Sequence, residues 1–251
     1  KYEDGAGIAY LRILLEGTQS YLDIKQVVVD EVQDYGPLHF ALLQHWFPKA
    51  RYTVLGDVEQ TVASPASLSL YEDIKNVLNK PKSTLAVLKQ SFRNSYEISA
   101  FSSQFLNQPD QVLHFQRHGT APAVFSLPDQ AALDQKLINQ IKSCRAQGHQ
   151  SIAIICKTMA QASALVQRIR HLTPLRLITE NSTELGSGTL VLPIYLAKGL
   201  EFDAVLLYQT TVENYQTPED RRLLYIASTR ALHHLSLFYS GEISPLINTI
   251  S

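Results

Sequence analysis

The sequence VVVDEVQD at residues 27–34 is a short β-branched run that ends in two adjacent carboxylates, Asp30 and Glu31. Continuous apolar runs of this length are typical of central parallel strands that are covered on both faces. In an open α/β sheet, ligands bind beyond the carboxyl ends of the strands. The stretch therefore predicts a buried strand with its acidic end at a ligand-binding edge. The alternative is a strand that leaves the core through a solvated acidic turn.

Similar apolar runs recur along the chain and alternate with amphipathic stretches. The runs that predict strands lie at 27–29, 52–55, 85–88, 152–155, 190–192 and 205–207. The stretches that predict helices lie at 94–106, 129–147, 159–171 and 218–231. This alternation predicts an α/β fold in which parallel sheets are flanked by helices.

A domain boundary is expected at the polar, proline-containing sequence NKPKS at residues 79–83. It divides the chain into residues 1–83 and 84–251. The first piece contains only two clear strands, which are too few for an independent sheet. We therefore expect one partial domain followed by one complete domain.

The composition narrows the class of protein. Of the 251 residues, 45% are hydrophobic, which is enough for a well-buried core. The formal net charge of -1 excludes a basic shell, so any nucleic-acid contact is expected to follow a local path. Cys144 and Cys156 have no metal-ligand spacing, and a reducing cytoplasm fits them best. No apolar run is long enough to span a bilayer, so no membrane partner is expected.

The acidic strand end at 27–34 and a second stretch at 54–60 both carry groups suited to nucleotide chemistry. In nucleotide hydrolases such a strand end holds Mg²⁺ through one carboxylate, while the next orients or deprotonates the attacking water. The sequence VLGDVEQ at 54–60 is a second strand that ends in a glycine, which permits a tight turn and brings Asp57 and Gln60 near the same sheet edge. A glutamine there can hydrogen-bond to a γ-phosphate or to water. The alternative is an ordinary Gly-Asp turn.

Three further stretches lie in the second piece. In LKQSFRN at 88–94, a strand runs into a helix that begins near Arg93, whose planar guanidinium suits phosphate oxygens. The alternative is a surface arginine beside a helix-capping Asn94. The amphipathic sequence RRLLYIASTRA at 221–231 predicts a helix that ends near Arg230. The alternative for Arg230 is a cation that only complements the helix dipole, which would stabilise the protein by less than about 1 kcal/mol. The sequence LAKGLEFD at 196–203 lies between two predicted strands.

Taken together and in this order, the five stretches resemble motifs II to VI of the UvrD/Rep group of superfamily 1 DNA helicases, over nearly the whole chain. The resemblance extends to the helicase IV branch, which includes the HelD ATPases associated with RNA polymerase. It is carried by DEVQDYGP at 30–37, PIYLAKGLEFD at 193–203 and YSGEISPL at 239–246. The resemblance implies the RecA-like P-loop NTPase fold, with the first motor domain partly present and the second complete.

Each matching residue acquires an implied role. Asp30 and Glu31 would hold Mg²⁺, and Glu31 would also be the catalytic base. Gln60 would sense the γ-phosphate of ATP, while Arg93 and Arg230 would be arginine fingers that close on it. The remaining residues implied in binding ATP are Asp57, Gly199 and Glu201, of which Glu201 would contact the ribose.

The chain also departs from the pattern of the group. It contains no Gly-x-x-x-x-Gly-Lys-Ser/Thr loop to hold the β- and γ-phosphates. The aromatic residue usual three positions after the motif III glutamine is replaced by Ala63, and the usual Thr-x-His is replaced by Pro193 and Tyr195. The positions implied in ATP hydrolysis therefore match better than those implied in contacting DNA.

The resemblance implies part of an ATP-dependent helicase or translocase motor, which moves on single-stranded DNA or at a duplex junction. Without a phosphate-binding loop, this fragment is expected to be inactive alone, whereas its full-length parent would be a cytoplasmic ATPase. The alternative function is an ATP-driven factor that binds and remodels RNA polymerase without unwinding duplexes. An unrelated α/β enzyme would require five accidental matches.

Overall fold

The computed structural model describes residues 2–17, 19–57, 69–88, 90–107, 109, 112–186 and 188–247. The chain forms two compact units, Lys1–Val87 and Leu88–Ser251. The division follows Val87, whereas the sequence predicts it after residue 83. Lys80 donates a hydrogen bond from Nζ to the carbonyl of Pro48 (3.1 Å), which keeps the predicted linker with the first unit. The assignment of the two units to a first and a second motor domain stays a prediction.

The regular elements of the described residues are as follows. The strands are β1 (Gln26–Val29), β2 (Arg51–Val54), β3 (Gln90–Ser91), β4 (Leu113–His114), β5 (Ala123–Leu127), β6 (Ser151–Cys156), β7 (Arg176–Leu177), β8 (Gly188–Pro193), β9 (Phe202–Tyr208) and β10 (Ala231–Ser240). The helices are α1 (Tyr2–Glu16), α2 (Pro37–Trp46), α3 (Ser69–Val77), α4 (Tyr96–Ser103), α5 (Gln130–Ala146), α6 (Met159–Ile169), α7 (Ile194–Ala197) and α8 (Pro218–Ser228).

In the first unit, β1 and β2 form a parallel pair, with Val27 beside Tyr52 and Val29 beside Val54. Helices α2 and α3 cover this pair. The buried side chains of the resulting small core are Val29, Val32, Phe40, Ile74 and Leu78. Because both strands run in the same direction, their carboxyl ends meet at one edge.

The second unit contains a six-stranded sheet in the order β5-β10-β9-β6-β8-β7, with all neighbouring strands parallel. Successive residues of β6 point to opposite faces, since Ile152 and Ile154 join one hydrophobic cluster while Ala153 and Ile155 join the other. Helices α4, α7 and α8 contribute to one cluster, and α5 and α6 to the other. A parallel sheet covered by helices on both faces confirms the predicted α/β class.

The structure corrects one predicted strand, which lies at the division between the two units. Residues 85–88 are predicted as a buried strand but pair with no strand among the described residues, and Leu88 is 91% exposed. An apolar run needs a covering core to become a buried strand, and here the side chains face solvent. The strand lies instead at Gln90–Ser91, where it pairs with Leu113–His114.

The interior strand β10, which pairs with β5 and β9, is missed by the sequence patterns. The helix predicted at 218–231 ends at Ser228, and Ala231 already belongs to β10. Polar residues interrupt the apolar run of this strand. His234 and Ser236 are buried in it and hydrogen-bond to each other at 2.9 Å, which lets both lie inside the sheet without unpaired polar groups.

None of the helices among the described residues is both long enough and apolar enough to span a membrane.

Candidate functional site

In the first unit, the acidic residues predicted to meet at one sheet edge do so. Asp30 and Glu31 follow β1, and Asp57 lies three residues after the end of β2. Backbone hydrogen bonds continue the pairing beyond the strands, from Leu55 N to Val29 O (2.8 Å) and from Val32 N to Leu55 O (2.9 Å). The two acidic turns are therefore held side by side.

The side chain of Gln33 joins the two turns. Its Nε2 donates to the Glu31 carboxylate, and its Oε1 accepts from the backbone N–H of Asp57 at 3.1 Å. Gly56 makes room for this bridge, because a Cβ at Gly56 would lie 2.5 Å from Gln33 Oε1 and 2.5 Å from Val32 Cγ1. Gln33 is thus a residue of the site to which the sequence patterns assign no role, although its position between Glu31 and Asp34 is a signal for it.

Glu31 has a left-handed backbone conformation, with φ 51° and ψ 44°. Residues other than glycine adopt this conformation at a cost, and such residues cluster at functional sites where the surrounding structure holds them. Here the hydrogen bond from Glu31 N to Asp30 Oδ1 (2.8 Å) and the contact with Gln33 hold it. The conformation turns the chain away from β1 directly after Asp30.

The carboxylates suit Mg²⁺, which prefers oxygen ligands and usually keeps several waters beside one or two carboxylates. Within the described parts of the chain, no group of three or more His, Cys, Asp or Glu side chains is arranged to hold a metal ion. An ion held by Asp30 and Glu31 would therefore complete its ligands from water and from a nucleotide. Gln60 and Ala63 lie outside the described residues, so the predicted role of Gln60 stays a prediction.

In the second unit, the structure brings together Arg93, Glu201 and Arg230, which are far apart in the sequence. Arg93 Nε lies 2.5 Å from Glu201 Oε1, and both side chains are partly exposed. The backbone N–H of Phe202, next to Glu201, donates to the carbonyl of Arg230 at 2.9 Å. Glu201 and Arg230 directly precede β9 and β10, and Arg93 reaches the same end of the sheet through its ion pair with Glu201.

Arg230 is 1% exposed. Its guanidinium donates to the carbonyls of Ile226 (3.1 Å) and Leu200 (3.4 Å) and to the hydroxyl of Thr229 (3.2 Å). Ile226 belongs to the last turn of α8, whose carbonyls lack partners within the helix. In this conformation Arg230 therefore closes the end of α8 and ties it to the turn before β9.

That turn depends on Gly199, whose φ of +75° is a conformation that favours glycine. Further along, Asp203 accepts hydrogen bonds from Gln150 N (2.8 Å) and Ser151 N (2.9 Å), which anchors β9 to β6. Burial alone raises the pKa of Asp203, but hydrogen bonds from Ser151 and Gln150 bring it below its ordinary value. Asp203 therefore has a structural role.

The structure corrects the interpretation of Asn94 as a helix cap. The N-cap of α4 is Ser95, whose hydroxyl accepts from Ile98 N. Asn94 is buried, and its Nδ2 donates to the carbonyls of Thr229 (3.1 Å) and Ala231 (2.6 Å). No local sequence signal reveals these contacts, because the partners lie 135 and 137 residues away.

A second contact holds the segment around Arg93. The guanidinium of Arg117 donates to the carbonyl of Arg93, and the backbone N–H of Tyr96 donates to the carbonyl of Arg117 at 2.8 Å. Glu97 accepts from His118 Nδ1 (2.9 Å) and Gly119 N (2.7 Å), and the hydrogen bond from His118 is the main cause that lowers the pKa of Glu97 to about 2. The loop after β4 is thus fastened across the start of α4.

Pro193 and Tyr195, which replace the usual Thr-x-His, lie at the other end of the strands, where β8 ends. Pro193 ends β8 and is buried, whereas Tyr195 in α7 is 43% exposed. Proline removes a backbone donor and has no side-chain hydroxyl. The described residues at this point therefore offer a tyrosine where the resemblance implies a threonine and a histidine.

Comparison with known proteins assigns the chain to a family. A model of the UvrD-like helicase C-terminal domain matches residues 189–238, which include Glu201 and Arg230. The solved C-terminal domain of a possible DNA helicase from Lactobacillus plantarum WCFS1 is 32% identical, with a TM-score of 0.56 over 64% of this chain and 94% of that one. No curated protein matches the chain. The shared fold is the RecA-like parallel sheet that the sequence predicts, and the chain belongs to the UvrD-like helicases, whose C-terminal domain it contains.

Proposed function

We propose that this chain is part of an ATP-dependent superfamily 1 DNA helicase motor, which couples ATP hydrolysis to movement on single-stranded DNA or at a duplex junction. The observation that supports the proposal most is the convergence of Arg93, Glu201 and Arg230 at one edge of the second unit. Two arginines beside a carboxylate can bind phosphate oxygens and a sugar hydroxyl of one nucleotide. The free, buried cysteines agree with a cytoplasmic location.

The first unit would supply the groups that act on water and Mg²⁺. With Mg²⁺ bound, the ion would neutralise charge that develops on the phosphates of ATP. Asp30 would hold the ion, and Glu31 would accept the proton of the attacking water. Gln33 donates a hydrogen bond to the Glu31 carboxylate, which restricts the orientation of this side chain. Gln33 also accepts a hydrogen bond from the backbone of Asp57, so a movement of the turn at Asp57 would shift the Glu31 carboxylate as well.

The second unit would supply positive charge. Arg93 and Glu201 neutralise each other in this conformation, so binding a nucleotide would replace their pair with contacts to phosphate and ribose. Arg230 would exchange the carbonyls of Ile226 and Leu200 for phosphate oxygens. A charged donor gains more from a phosphate than from a carbonyl, so the exchange is favourable once negative charge develops in the transition state.

The decisive test is steady-state ATP hydrolysis by the full-length protein. We expect Arg230→Ala to lower turnover roughly a thousandfold, as expected for an arginine finger. The matched control is Arg170→Ala, because Arg170 is also an arginine at a helix end, the C-cap of α6, and is exposed. If folded Arg230→Ala retains more than about a third of wild-type turnover, as a helix-end cation would, the finger assignment fails.

The alternative is an ATP-driven factor that remodels RNA polymerase without unwinding. It is favoured by the replacement of residues implied in contacting DNA, with Ala63 at one position and Pro193 and Tyr195 at the other, and by the net charge of -1. A strand-displacement assay with the full-length protein, beside a polymerase pull-down, separates the two functions. Unwinding without polymerase capture supports the motor, and capture without unwinding supports the alternative.

A further inference from the structure

Asn94 lies between the segments that carry the two arginines. It follows Arg93 in the chain, and its side chain is 4% exposed. Nδ2 donates to the carbonyls of Thr229 and Ala231, which are the residues on either side of Arg230. Both partners are carbonyl oxygens, which only accept, so the nitrogen end of the carboxamide must face them.

The chemistry of this contact restricts the residue type. A carboxamide nitrogen carries two N–H donors and can serve two carbonyls at once. Aspartate would present only acceptors at neutral pH, serine has a single shorter donor, and alanine would leave two buried carbonyls without these donors. The contact is therefore specific to a short side chain that ends in an amide.

The rest of the network makes Asn94 the connection between the arginine segments. Phe202 N donates to the carbonyl of Arg230, Arg230 Nη1 donates to the carbonyl of Leu200, and Glu201 lies between these two residues. Glu201 in turn pairs with Arg93. The backbone around Arg230 is thus fixed on one side by the turn before β9 and on the other by Asn94.

Resting on the proposed function, we infer that Asn94 is a positioning residue for hydrolysis. It fixes the backbone of Arg93 relative to the backbone of Arg230, so that both guanidinium groups reach the nucleotide together when Arg230 leaves its carbonyl partners. The burial of Asn94 and its two hydrogen bonds keep the two backbone segments together while the guanidinium of Arg230 moves.

The test compares Asn94→Ala with Ser244→Ala in the full-length protein. Ser244 is also a buried side chain of the second unit that donates to a backbone carbonyl, that of Tyr215 at 2.6 Å, and it lies beyond the opposite end of β10. We expect Asn94→Ala to lower kcat at least about tenfold with a small change in KM for ATP, because the arginines act mainly in the transition state. Ser244→Ala should leave kcat within about twofold at a similar loss of Tm.

A double-mutant cycle shows whether Asn94 acts through Arg230. In the Arg230→Ala background, we expect Asn94→Ala to lower kcat by a much smaller factor than in the wild type. A second readout is amide hydrogen exchange at Phe202 in the 251-residue chain, which should accelerate in Asn94→Ala and not in Ser244→Ala. Should Asn94→Ala fail to fold, Asn94→Ser, which keeps one donor, takes its place in each measurement.

The outcomes separate this inference from the function beneath it. If Arg230→Ala itself leaves turnover near wild type, the proposed function fails and the inference fails with it. If Arg230→Ala abolishes turnover while Asn94→Ala behaves like Ser244→Ala in kcat and in Phe202 exchange, the inference alone is overturned.

Discussion

At the scale of single residues, Glu31 combines a chemical role with an unfavourable backbone conformation. Its φ of 51° is costly for an L-residue with a side chain, by roughly 1–2 kcal/mol relative to glycine. Removing the carboxylate and relieving the backbone are separable effects, because alanine does the first and glycine does both. Functional sites often retain such strain where the surrounding contacts hold it.

We expect Glu31→Gln, Glu31→Ala and Glu31→Gly all to abolish ATP turnover by the full-length protein, since each removes the base. Glu31→Gly should nevertheless melt at a higher temperature than Glu31→Ala, by the equivalent of about 1 kcal/mol. Thermal melts and ATPase rates of the three variants check both statements. Equal melting of the alanine and glycine variants would show that the conformation is not strained.

At the scale of elements, α8 is held at both ends, and its start depends on a buried carboxylate. Asp220 accepts from Gln216 N (3.0 Å) and Thr217 N (3.0 Å) and pairs with Lys157. Burial alone raises the pKa of Asp220, but the contact with Lys157 and the backbone hydrogen bonds bring it below its ordinary value. The helix that leads to Arg230 therefore begins at an ion pair.

The pKa of Asp220 is lower in the folded protein than in the unfolded chain, where it is about 3.9. The ionised carboxylate therefore stabilises the fold at pH values above about 3.9, and this stabilisation is lost as the pH falls through the pKa of the folded state. We expect Asp220→Asn to lower the melting temperature at pH 7 and to approach the wild type as the pH falls below about 4. Glu219→Gln is the control. Glu219 is exposed, and its ion pair with Arg222 is long, at 3.6 Å, so its loss should have little effect at any pH. A deficit for Asp220→Asn that is equal at pH 7 and pH 3 would contradict this account.

At the scale of the whole molecule, the two units have very different cores. The first has two small clusters, one around β1, β2, α2 and α3 and one between α1 and α2, whereas the second has a six-stranded sheet covered on both faces. Each unit contains its own natural probe. Trp46 is the single tryptophan and lies in α2, while both cysteines are buried in the second unit.

In urea, we expect the first unit to unfold at a lower denaturant concentration than the second, because less apolar surface is buried in the first unit. The fluorescence of Trp46 should therefore change at a lower urea concentration than that at which the thiols become reactive. Burial raises the pKa of Cys144 to about 11 and raises that of Cys156 further, so neither thiol should react at pH 8 while the second unit is folded. Fluorescence and a thiol reagent followed over one urea series provide the measurement. Coincident transitions would indicate a single cooperative unit.

We also expect the 251-residue chain alone to bind ATP weakly and not to hydrolyse it. Loop amides and the loop lysine normally neutralise the triphosphate together with Mg²⁺, and the sequence contains no such loop. Isothermal calorimetry and phosphate release with and without Mg²⁺ test this. Micromolar affinity or Mg²⁺-dependent release would contradict it.

The sequence by itself determined the α/β class, the order of the motifs and five of the ten strands of the described residues, namely β1, β2, β6, β8 and β9. These features are local, since a β-branched run followed by carboxylates or glycine sets a strand and its end within a few residues. It also indicated Asp30, Glu31, Arg93 and Arg230 as candidate site residues through their places at the ends of predicted elements, and Glu201 through the resemblance to the helicase motifs.

Only the tertiary structure decided which of these residues meet and what holds them. Residues 85–88 look like a strand but lack a covering core, whereas β10 contains the buried His234, which contacts Gln140 of α5 at 3.0 Å. Asn94 resembles a cap in the sequence and becomes a bridge in the fold. The physical reason is that hydrogen-bond partners and burial depend on segments more than a hundred residues apart, which no local pattern encodes.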